Sequence, residues 1–335
     1  MGKDIFPYAN KIITLIEEAK KNALKSVNAE LIRLYWNIGE YLSGENGKSA
    51  WGDSFIDETA RYIRENCPEI KGFTRRGLYR MKKFYETYRD DEIVSALLTQ
   101  ISWTNHLLIL SSAKSKEERQ FYIMLCIREK YSSRELERQI ESAYFHRYML
   151  AKKTLEPMAI EKNIKERFLD TYVLEFLNLP EKYDERDLRK AIIHNLKNFI
   201  LEVGRDFTFV GEEYRVQAGD EDYYIDLVFY QRKLSCLVAF ELKTTRFKPE
   251  YLGKMNFYLE LLDREHKNQN ENPSVGVILC ASKNDEVVEI AMNRSLSPTL
   301  VSEYSLRLID KKLLEEKLRE YGGLLPDDPQ KPEEI

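Results

Sequence analysis

The alternation of hydrophobic and polar positions divides the chain into a helical half and a half in which strands and helices mix. Up to about residue 150, apolar side chains recur three or four positions apart, as they do along one face of a helix. This period predicts helices over residues 8–45, 55–64, 75–88 and 102–110, followed by two further helices that separate at Ser132-Ser133. The first half is therefore expected to be all-helical.

The pattern changes after residue 187. An amphipathic helix is predicted over 188–203, and Gly204 is a residue type that commonly follows a helix end. Short apolar runs rich in β-branched and aromatic residues then predict strands, with helices between them. The predicted strands cover 206–211, 213–217, 223–230, 234–242, 274–282 and 304–309, and the predicted helices cover 249–262, 285–292 and 311–321. This order predicts an α/β domain.

Three charged residues interrupt two neighbouring apolar runs of this domain. Asp226 lies within the run 223–230, and Glu241 and Lys243 lie at the end of the run 234–242. A carboxylate buried in a strand is costly unless it is paired or holds a metal ion. The three residues are therefore a candidate site, and the alternative is that they are ion-paired residues of an ordinary sheet.

The spacing brings these charges to one face if the two runs form a hairpin. A turn centred near 232–233 places Asp226 close to Ala239 on the neighbouring strand, one diagonal step from Glu241. Side chains two positions apart share a face, so Lys243 points the same way as Glu241. Carboxylate oxygens suit Mg²⁺ or Mn²⁺. Such an ion can polarise a phosphoryl oxygen and lower the pKa of a bound water, and Lys243 can position that water or offset phosphate charge.

The same residues resemble the D…(D/E)-x-K core of the PD-(D/E)XK nuclease superfamily. The segment FELK, followed by FKPEYxGxMNFYL, is similar to the YhcG-like bacterial proteins, in which a helical, winged-helix-like domain precedes the nuclease domain. The resemblance extends to Tyr258. It implies a restriction-endonuclease-like core with a mixed sheet and a metal-dependent DNA endonuclease of a bacterial defence or mobile-element system. The metal ligands it implies are Asp226, Glu241 and the carbonyl of Leu242.

Two positions depart from the family pattern. Lys254 stands where the family usually carries Gln, and it shares one helical face with Tyr258, a face that points at the active site in the family. Both are therefore candidate catalytic residues. Arg189 replaces a glutamate often found on the first nuclease helix, although Glu202 is offered by a different turn. The alternative function is a catalytically weakened subunit that binds DNA or assembles with partners.

The helix predicted over 75–88 is unusually basic. Thr74 is a suitable N-cap, and Leu78, Met81 and Phe84 or Tyr85 form its inner face. The candidate nucleic-acid-binding residues on it are Arg75, Arg76, Arg80, Lys82 and Lys83. A solvated helix face explains such a charge run equally well from composition. The family resemblance favours nucleic-acid contact, most directly with double-stranded DNA, because W-x-I-G, WG and the Gly72-to-Met81 segment also match.

Length and composition are those of a globular protein with about two domains. The chain has 335 residues, of which 43% are hydrophobic and 32% charged. We expect a helical domain over 1–150, a linker with short helical pieces over 151–187, the nuclease domain over 188–322 and a flexible tail over 323–335. The net charge of −4 argues against nucleic-acid binding by the whole surface but permits a local basic patch.

Several protein classes are excluded by the pattern. The four cysteines and four histidines are scattered, which fits neither a zinc ribbon nor a disulfide framework. No apolar run approaches the roughly 20 residues that span a bilayer, and the N-terminus lacks a secretory pattern. We expect a cytoplasmic protein with a divalent metal cofactor and no membrane partner. A homodimer is a further expectation, because cutting both DNA strands usually needs two sites.

Overall fold

The computed structural model describes residues 27–44, 52–68, 71–154, 164, 167–293 and 297–320. The chain divides into two compact units, and the border along the sequence lies between Glu137 and Arg138. The domain borders expected from the sequence stay predictions. The first part of the helix predicted over 8–45 and the predicted tail lie outside the described residues.

The described part of the first unit is helical, as predicted. Its helices are α1 (27–43), α2 (Gly52–Asn66), α3 (Arg75–Tyr88), α4 (Glu92–Ser95), α5 (Trp103–Ser112), α6 (Lys116–Glu129) and α7 (Ser133–Glu141), which crosses the border. The residues described between 27 and 137 include no strand, so they contain no hairpin of the kind that forms the wing of a winged helix.

Helix α3 begins and packs as its sequence predicts. The hydroxyl of Thr74 accepts a hydrogen bond from the Gly77 amide at 3.2 Å, which caps the helix. Its buried side chains are Leu78, Met81, Phe84 and Tyr88. A Cβ at Gly39 would lie 2.2 Å from the carbonyl oxygen of Met81, so only glycine allows α1 to approach α3 this closely.

The second unit is built on a six-stranded mixed sheet, which confirms the predicted fold class. The strands are β1 (Thr171–Val173), β2 (Phe207–Ala218), β3 (Glu221–Gln231), β4 (Cys236–Arg246), β5 (Val275–Ser282) and β6 (Thr299–Ser305). Their order is β1-β6-β5-β4-β3-β2. Strands β2, β3 and β4 pair antiparallel, whereas β4, β5, β6 and β1 pair parallel.

Helices surround this sheet. They are α8 (Tyr144–Thr154), α9 (Glu185–His194), α10 (Leu196–Val203), α11 (Glu250–Leu261), α12 (Asp285–Met292) and α13 (Lys311–Glu320). Met255 and Tyr258 of α11 pack in one core cluster with Ala239 of β4. Phe199 of α10 contacts Phe240, the next residue of β4. Because successive strand residues point to opposite faces, α11 and α10 cover opposite sides of the sheet, and Glu241 lies on the α11 side.

The structure corrects several expected elements. Residues 171–173, expected among short helical pieces, form strand β1 at the sheet edge, because a strand of three residues leaves no readable period. The last strand spans Thr299–Ser305 rather than 304–309. The strands expected over 206–211 and 213–217 are one strand, β2, with a register shift between Phe209 and Gly211.

The helix expected over 188–203 is also interrupted. It divides into α9 and α10 at Asn195, whose φ of −108° and ψ of 28° are not helical. Asn195 reads as an ordinary member of the amphipathic pattern, so periodicity alone gives no sign of the break. The interruption matters for the site because α9 and α10 place their side chains differently.

Candidate active site where strands β3 and β4 separate

The pairing of β3 with β4 ends one residue before the predicted carboxylates. The ladder runs from Gln231 opposite Cys236 to Leu227 opposite Phe240. Asp226 and Glu241 are the next residues of their strands. Beyond this point β3 continues only beside β2, and β4 only beside β5. We call this point the fork.

The predicted register is wrong by two residues. Ala239 pairs with Val228, two residues along β3 from the predicted partner Asp226. The cause is the turn, which takes four residues between Gln231 and Cys236, with Ser235 in the left-handed conformation at φ 49°. A shift of two positions preserves the face of every side chain. The predicted convergence therefore survives, with Asp226 nearer to Glu241 than expected.

Asp226 bridges the fork with its carboxylate. Its Oδ2 accepts a hydrogen bond from the Leu242 amide at 2.9 Å, and its Oδ1 accepts one from Arg189 Nη1 at 3.0 Å. Burial raises the pKa of Asp226, and the nearby charge of Glu241 raises it further. The Glu241 carboxylate thus lies close enough to disfavour the charged form of Asp226.

Glu241 is the most enclosed member of the site, with 1% of its side chain exposed. Its Oε1 accepts from Lys254 Nζ at 2.6 Å and lies 2.9 Å from Lys243 Nζ. Its Oε2 is buried and has no hydrogen-bond partner among the described residues. A buried carboxylate oxygen without a donor is costly, so this atom is a vacant acceptor within the site.

The two lysines lie over aromatic rings. Lys243 Nζ is 5.3 Å from the ring centroid of Tyr251, and Lys254 Nζ is 5.2 Å from that of Tyr258. Although burial lowers the pKa of both lysines, contact with Glu241 outweighs it and raises the net values, that of Lys254 to about 12. Both are therefore ammonium groups at neutral pH.

The hydroxyl of Tyr258 is also engaged. It donates a hydrogen bond to the carbonyl oxygen of Tyr224 at 2.8 Å, which ties α11 to β3 beside the fork. The structure thus brings together all five predicted catalytic residues, from two strands and one helix. They are Asp226, Glu241, Lys243, Lys254 and Tyr258.

Sequence reasoning did not find three other charged residues of the site. In the sequence Arg189 stands out only as a departure from the family pattern, but in the structure its Nη1 contacts Asp226 and its Nη2 contacts Glu213 Oε1 at 2.6 Å. Glu185 Oε2 lies 3.2 Å from Lys243 Nζ. Glu185 and Arg189 are four apart on α9, a spacing that puts both on one face and was readable from sequence. The left-handed conformation of Glu213, φ 43°, had no sequence signal.

Glu202 does not belong to this site. Its carboxylate is fully buried and contacts Arg138, Arg147 and the amide of Val173. The break at Asn195 explains this placement, because Glu202 lies on α10 and not on α9. The carboxylate that the sequence offers at a different turn of the first nuclease helix thus lies in a separate ion-pair cluster with Arg138 and Arg147 and is not part of the candidate site.

The donor set fits a hard divalent cation. Asp226 and the vacant Glu241 Oε2 supply oxygen ligands, the type that Mg²⁺ and Mn²⁺ prefer. The described residues contain no group of three His, Cys, Asp or Glu side chains that could hold a metal ion. A metal bound here would therefore need main-chain carbonyls, such as that of Leu242, and water to complete its ligands.

Comparisons with known proteins find a matching nuclease family and one similar bacterial protein. Residues 165–319 match the family model described as the YhcG PDDEXK nuclease domain, and residues 11–147 match the DUF1016 N-terminal domain. A protein of Escherichia coli (strain K12) described as "Putative nuclease YhcG" is 31% identical over 346 residues, covering 92% of both chains. The chain belongs to the YhcG family.

Two solved structures resemble part of this YhcG-family chain. One is described as the crystal structure of a repair endonuclease from Pyrococcus abyssi, with 15% identity, a TM-score of 0.25 and coverage of 38% of this chain and 47% of that one. The other is described as the structure of EndoMS in apo form, with 17% identity, a TM-score of 0.25 and coverage of 37% and 46%. At these scores the fold assignment rests instead on the family match and the observed sheet.

The basic helix of the YhcG-family N-terminal unit divides into paired and unpaired cations. Arg75 contacts Asp57 and lies over the ring of Tyr79, and Lys82 Nζ is 3.8 Å from Glu86. The other candidates form no ion pair with any residue that the structure describes. They are Arg76, Arg80 and Lys83, which follow one another at helical spacing along one face of α3.

None of the helices in the described ranges is long and apolar enough to cross a membrane.

Proposed function

We propose that this YhcG-family protein is a metal-dependent DNA endonuclease. Its family carries a PD-(D/E)XK nuclease domain, and the proposal adds the metal, the DNA substrate and internal cleavage. The observation that carries it is the convergence of Asp226 and Glu241 at the fork, with Lys243 on the same face. The Oε2 atom of Glu241 is buried there and has no hydrogen-bond donor among the described residues.

In this mechanism three residues of β3 and β4 would hold the metal ion, and Lys243 would act beside it. A bound Mg²⁺ or Mn²⁺ would supply Lewis-acid stabilisation of phosphate charge. Asp226 would hold the ion from β3, oriented by the Leu242 amide, and Glu241 and the Leu242 carbonyl would hold it from β4. Because Lys243 is protonated at neutral pH, it acts as a cation that orients the attacking water or the phosphate and not as a proton acceptor.

Lys254 and Tyr258 have supporting roles in this mechanism. Lys254 is 47% exposed and can move from Glu241 to a substrate phosphate, where an ammonium group acts as a point charge. Tyr258 is fixed by its hydrogen bond to Tyr224, so it is a positioning residue beneath Lys254.

A second candidate function is favoured by a specific observation. Arg189 occupies Asp226 Oδ1, and Lys254 occupies Glu241 Oε1, so protein cations contact atoms that a metal would bind. If a divalent ion does not displace them, the domain binds DNA without cutting it efficiently. The chain would then be a DNA-binding or assembly subunit with a weakened nuclease site.

Cleavage of supercoiled plasmid DNA tests the first function. Wild-type protein with Mg²⁺ or Mn²⁺ is expected to nick or linearise the plasmid, and EDTA or Lys243→Ala is expected to abolish the products. Lys233→Ala is a matched control, because Lys233 lies in the β3–β4 turn and pairs with Asp206. Cleavage that persists in Lys243→Ala would refute the proposed site.

The second candidate makes the opposite prediction. The protein would shift duplex DNA in an electrophoretic mobility assay but would not cut it with any divalent metal. The endonuclease proposal also includes a bacterial defence or mobile-element setting, a cytoplasmic location and a homodimer that cleaves. Linear products from a single encounter would support two cooperating copies, whereas nicks alone would support one.

A further inference from the structure

A groove lies between α2 and the start of α3 in the first unit. Its volume is about 980 Å³. Two acidic residues, Asp57 and Glu58, line it together with five cations. The cations are Arg61 and Arg64 from α2, Lys71 from the connection, and Arg75 and Arg76 from α3. The lining therefore carries an excess of three positive charges, five minus two, on a chain whose net charge is −4.

Most of these cations are available to a ligand. Arg75 is engaged, because it contacts Asp57 and lies over Tyr79. The other four are exposed, and none forms an ion pair or hydrogen bond with the residues that the structure describes. Like charges held at one groove are unfavourable in isolation, and a polyanion would turn the same charges into attraction.

The groove wall is fixed by close backbone packing. A Cβ at Gly77 would lie 2.3 Å from the carbonyl oxygen of Gly72, so the connection before α3 sits directly on the first turn of that helix. Thr74 caps the same turn. Lys71 and Arg76 are thereby presented from a defined turn, facing the α2 arginines across the groove.

We propose that this groove binds the sugar-phosphate backbone of a nucleic acid. The inference rests on the proposed function, since it assumes that the chain acts on such a polymer. Guanidinium groups bind phosphate oxygens through two parallel hydrogen bonds, which suits Arg61, Arg64 and Arg76 to this ligand. The contact surface thus includes α2, whereas Arg80, Lys82 and Lys83 lie outside the groove lining.

The test compares two double variants that remove the same charge. Arg61→Ala/Arg64→Ala removes two groove cations. Lys114→Ala/Arg134→Ala removes two exposed cations of the same unit outside the groove. Binding of a fluorescein-labelled DNA duplex in EDTA is followed by anisotropy at several salt concentrations, with full-length protein whose helical content is checked by circular dichroism.

The groove variant is expected to bind about tenfold more weakly, and its log Kd against log salt slope is expected to fall by about 1.8, because each lost phosphate contact removes about 0.9. The control variant is expected to retain the wild-type slope. Arg61→Lys/Arg64→Lys keeps the charge and is expected to retain most of the slope, which separates lost contacts from lost folding.

Three outcomes would overturn the inference, and they are distinguishable. Equal effects of the two alanine variants would mean that only overall charge matters, and an unchanged groove variant would place the DNA elsewhere. Poly-glutamate serves as a second labelled probe. If the groove variant lost binding to poly-glutamate but not to DNA, the groove would be assigned to an acidic protein. A folded wild-type protein that binds neither DNA nor RNA would instead refute the proposed function.

Discussion

Two glutamates of the second unit invite comparison, because both are buried and both contact two cationic side chains. Glu202 has no exposed side-chain surface and contacts Arg138 and Arg147. Glu241 is 1% exposed and contacts Lys243 and Lys254. The two differ in completeness: both oxygens of Glu202 accept hydrogen bonds, whereas Glu241 Oε2 accepts none from the described residues.

One cationic partner of each glutamate differs in the same way. Arg147 is fully buried and also donates to the carbonyls of Ser142 and Thr171, so the Glu202 cluster joins several segments of the second unit. Lys254, which contacts Glu241, is half-exposed. Burial and charge pairing alone do not identify a functional site. The Glu202 cluster, in which both carboxylate oxygens accept hydrogen bonds, stabilises the fold. The Glu241 cluster keeps one carboxylate oxygen without a donor among the described residues and one half-exposed lysine, Lys254, so it can accept a ligand.

The largest expected effect is the loss of stability in Glu202→Gln. The change leaves the fully buried Arg147 without a carboxylate partner among the described residues, and breaking a buried pair costs about 3–5 kcal/mol. Urea unfolding followed by circular dichroism measures the free energy of unfolding. Glu175→Gln is the control, since Glu175 is another partner of Arg138 but is partly exposed, and about 1 kcal/mol or less is expected. Equal losses in both variants would contradict the special role of Glu202.

Glu241→Gln is expected to lower activity strongly and stability only slightly, the opposite of a change that acts on stability alone. If Glu241 holds the metal as proposed, removing its charge should lower DNA cleavage at least about 100-fold, because even outer partners of ligands are worth 10–100-fold. The free energy of unfolding should fall less than in Glu202→Gln, because Lys254 is 47% exposed and can turn to solvent and Lys243 keeps its contact with Glu185. Plasmid cleavage and urea unfolding on one preparation provide both values. Stability loss as large as that of Glu202→Gln would erase the distinction.

The site also shows which of its features could be predicted from the sequence. The convergence of Asp226, Glu241 and Lys243 was predictable because strand alternation fixes the face of a side chain whatever the exact register. The turn length was not, since the left-handed Ser235 lies in a segment of ordinary polar character. The prediction survived a wrong register because the error was even.

The role of Glu202 was beyond the sequence for a different reason. Its partners Arg138 and Arg147 are more than 50 residues away along the chain, and no local period reports such contacts. The Arg189 bridge between Asp226 and Glu213 is likewise a tertiary contact. Helix α3, by contrast, was predicted together with its cap and buried face, because local spacing determines both.

Arg189→Gln is expected to have an intermediate effect, which is tighter binding of a divalent ion at the fork. Without the guanidinium on Asp226 Oδ1, a divalent ion no longer competes with a protein cation, so Mn²⁺ should bind about tenfold more tightly, about 1.4 kcal/mol. Calorimetric titration of DNA-free protein measures this affinity directly. Lys190→Gln removes the same charge from an exposed neighbour and is the control. Unchanged or weaker Mn²⁺ binding in Arg189→Gln would mean that the arginine orients Asp226 and does not compete.

The smallest expected effect is a pH dependence that belongs to Glu202 alone. Burial raises the pKa of this carboxyl, but the charges of Arg147 and Arg138 outweigh burial and hold it below the ordinary value of 4.5. As pH falls below 4.5, the unfolded chain takes up the proton first, so the stability contributed by Glu202 is present above that pH and is lost as pH falls towards the folded pKa. The loss is at most about 1.4 kcal/mol per pH unit. Urea unfolding of wild type and Glu202→Gln should therefore show a constant difference from pH 7 to about 5 and a narrowing difference below pH 4.5. A difference that widens at acid pH would show that the arginines do not hold this carboxylate in its charged form.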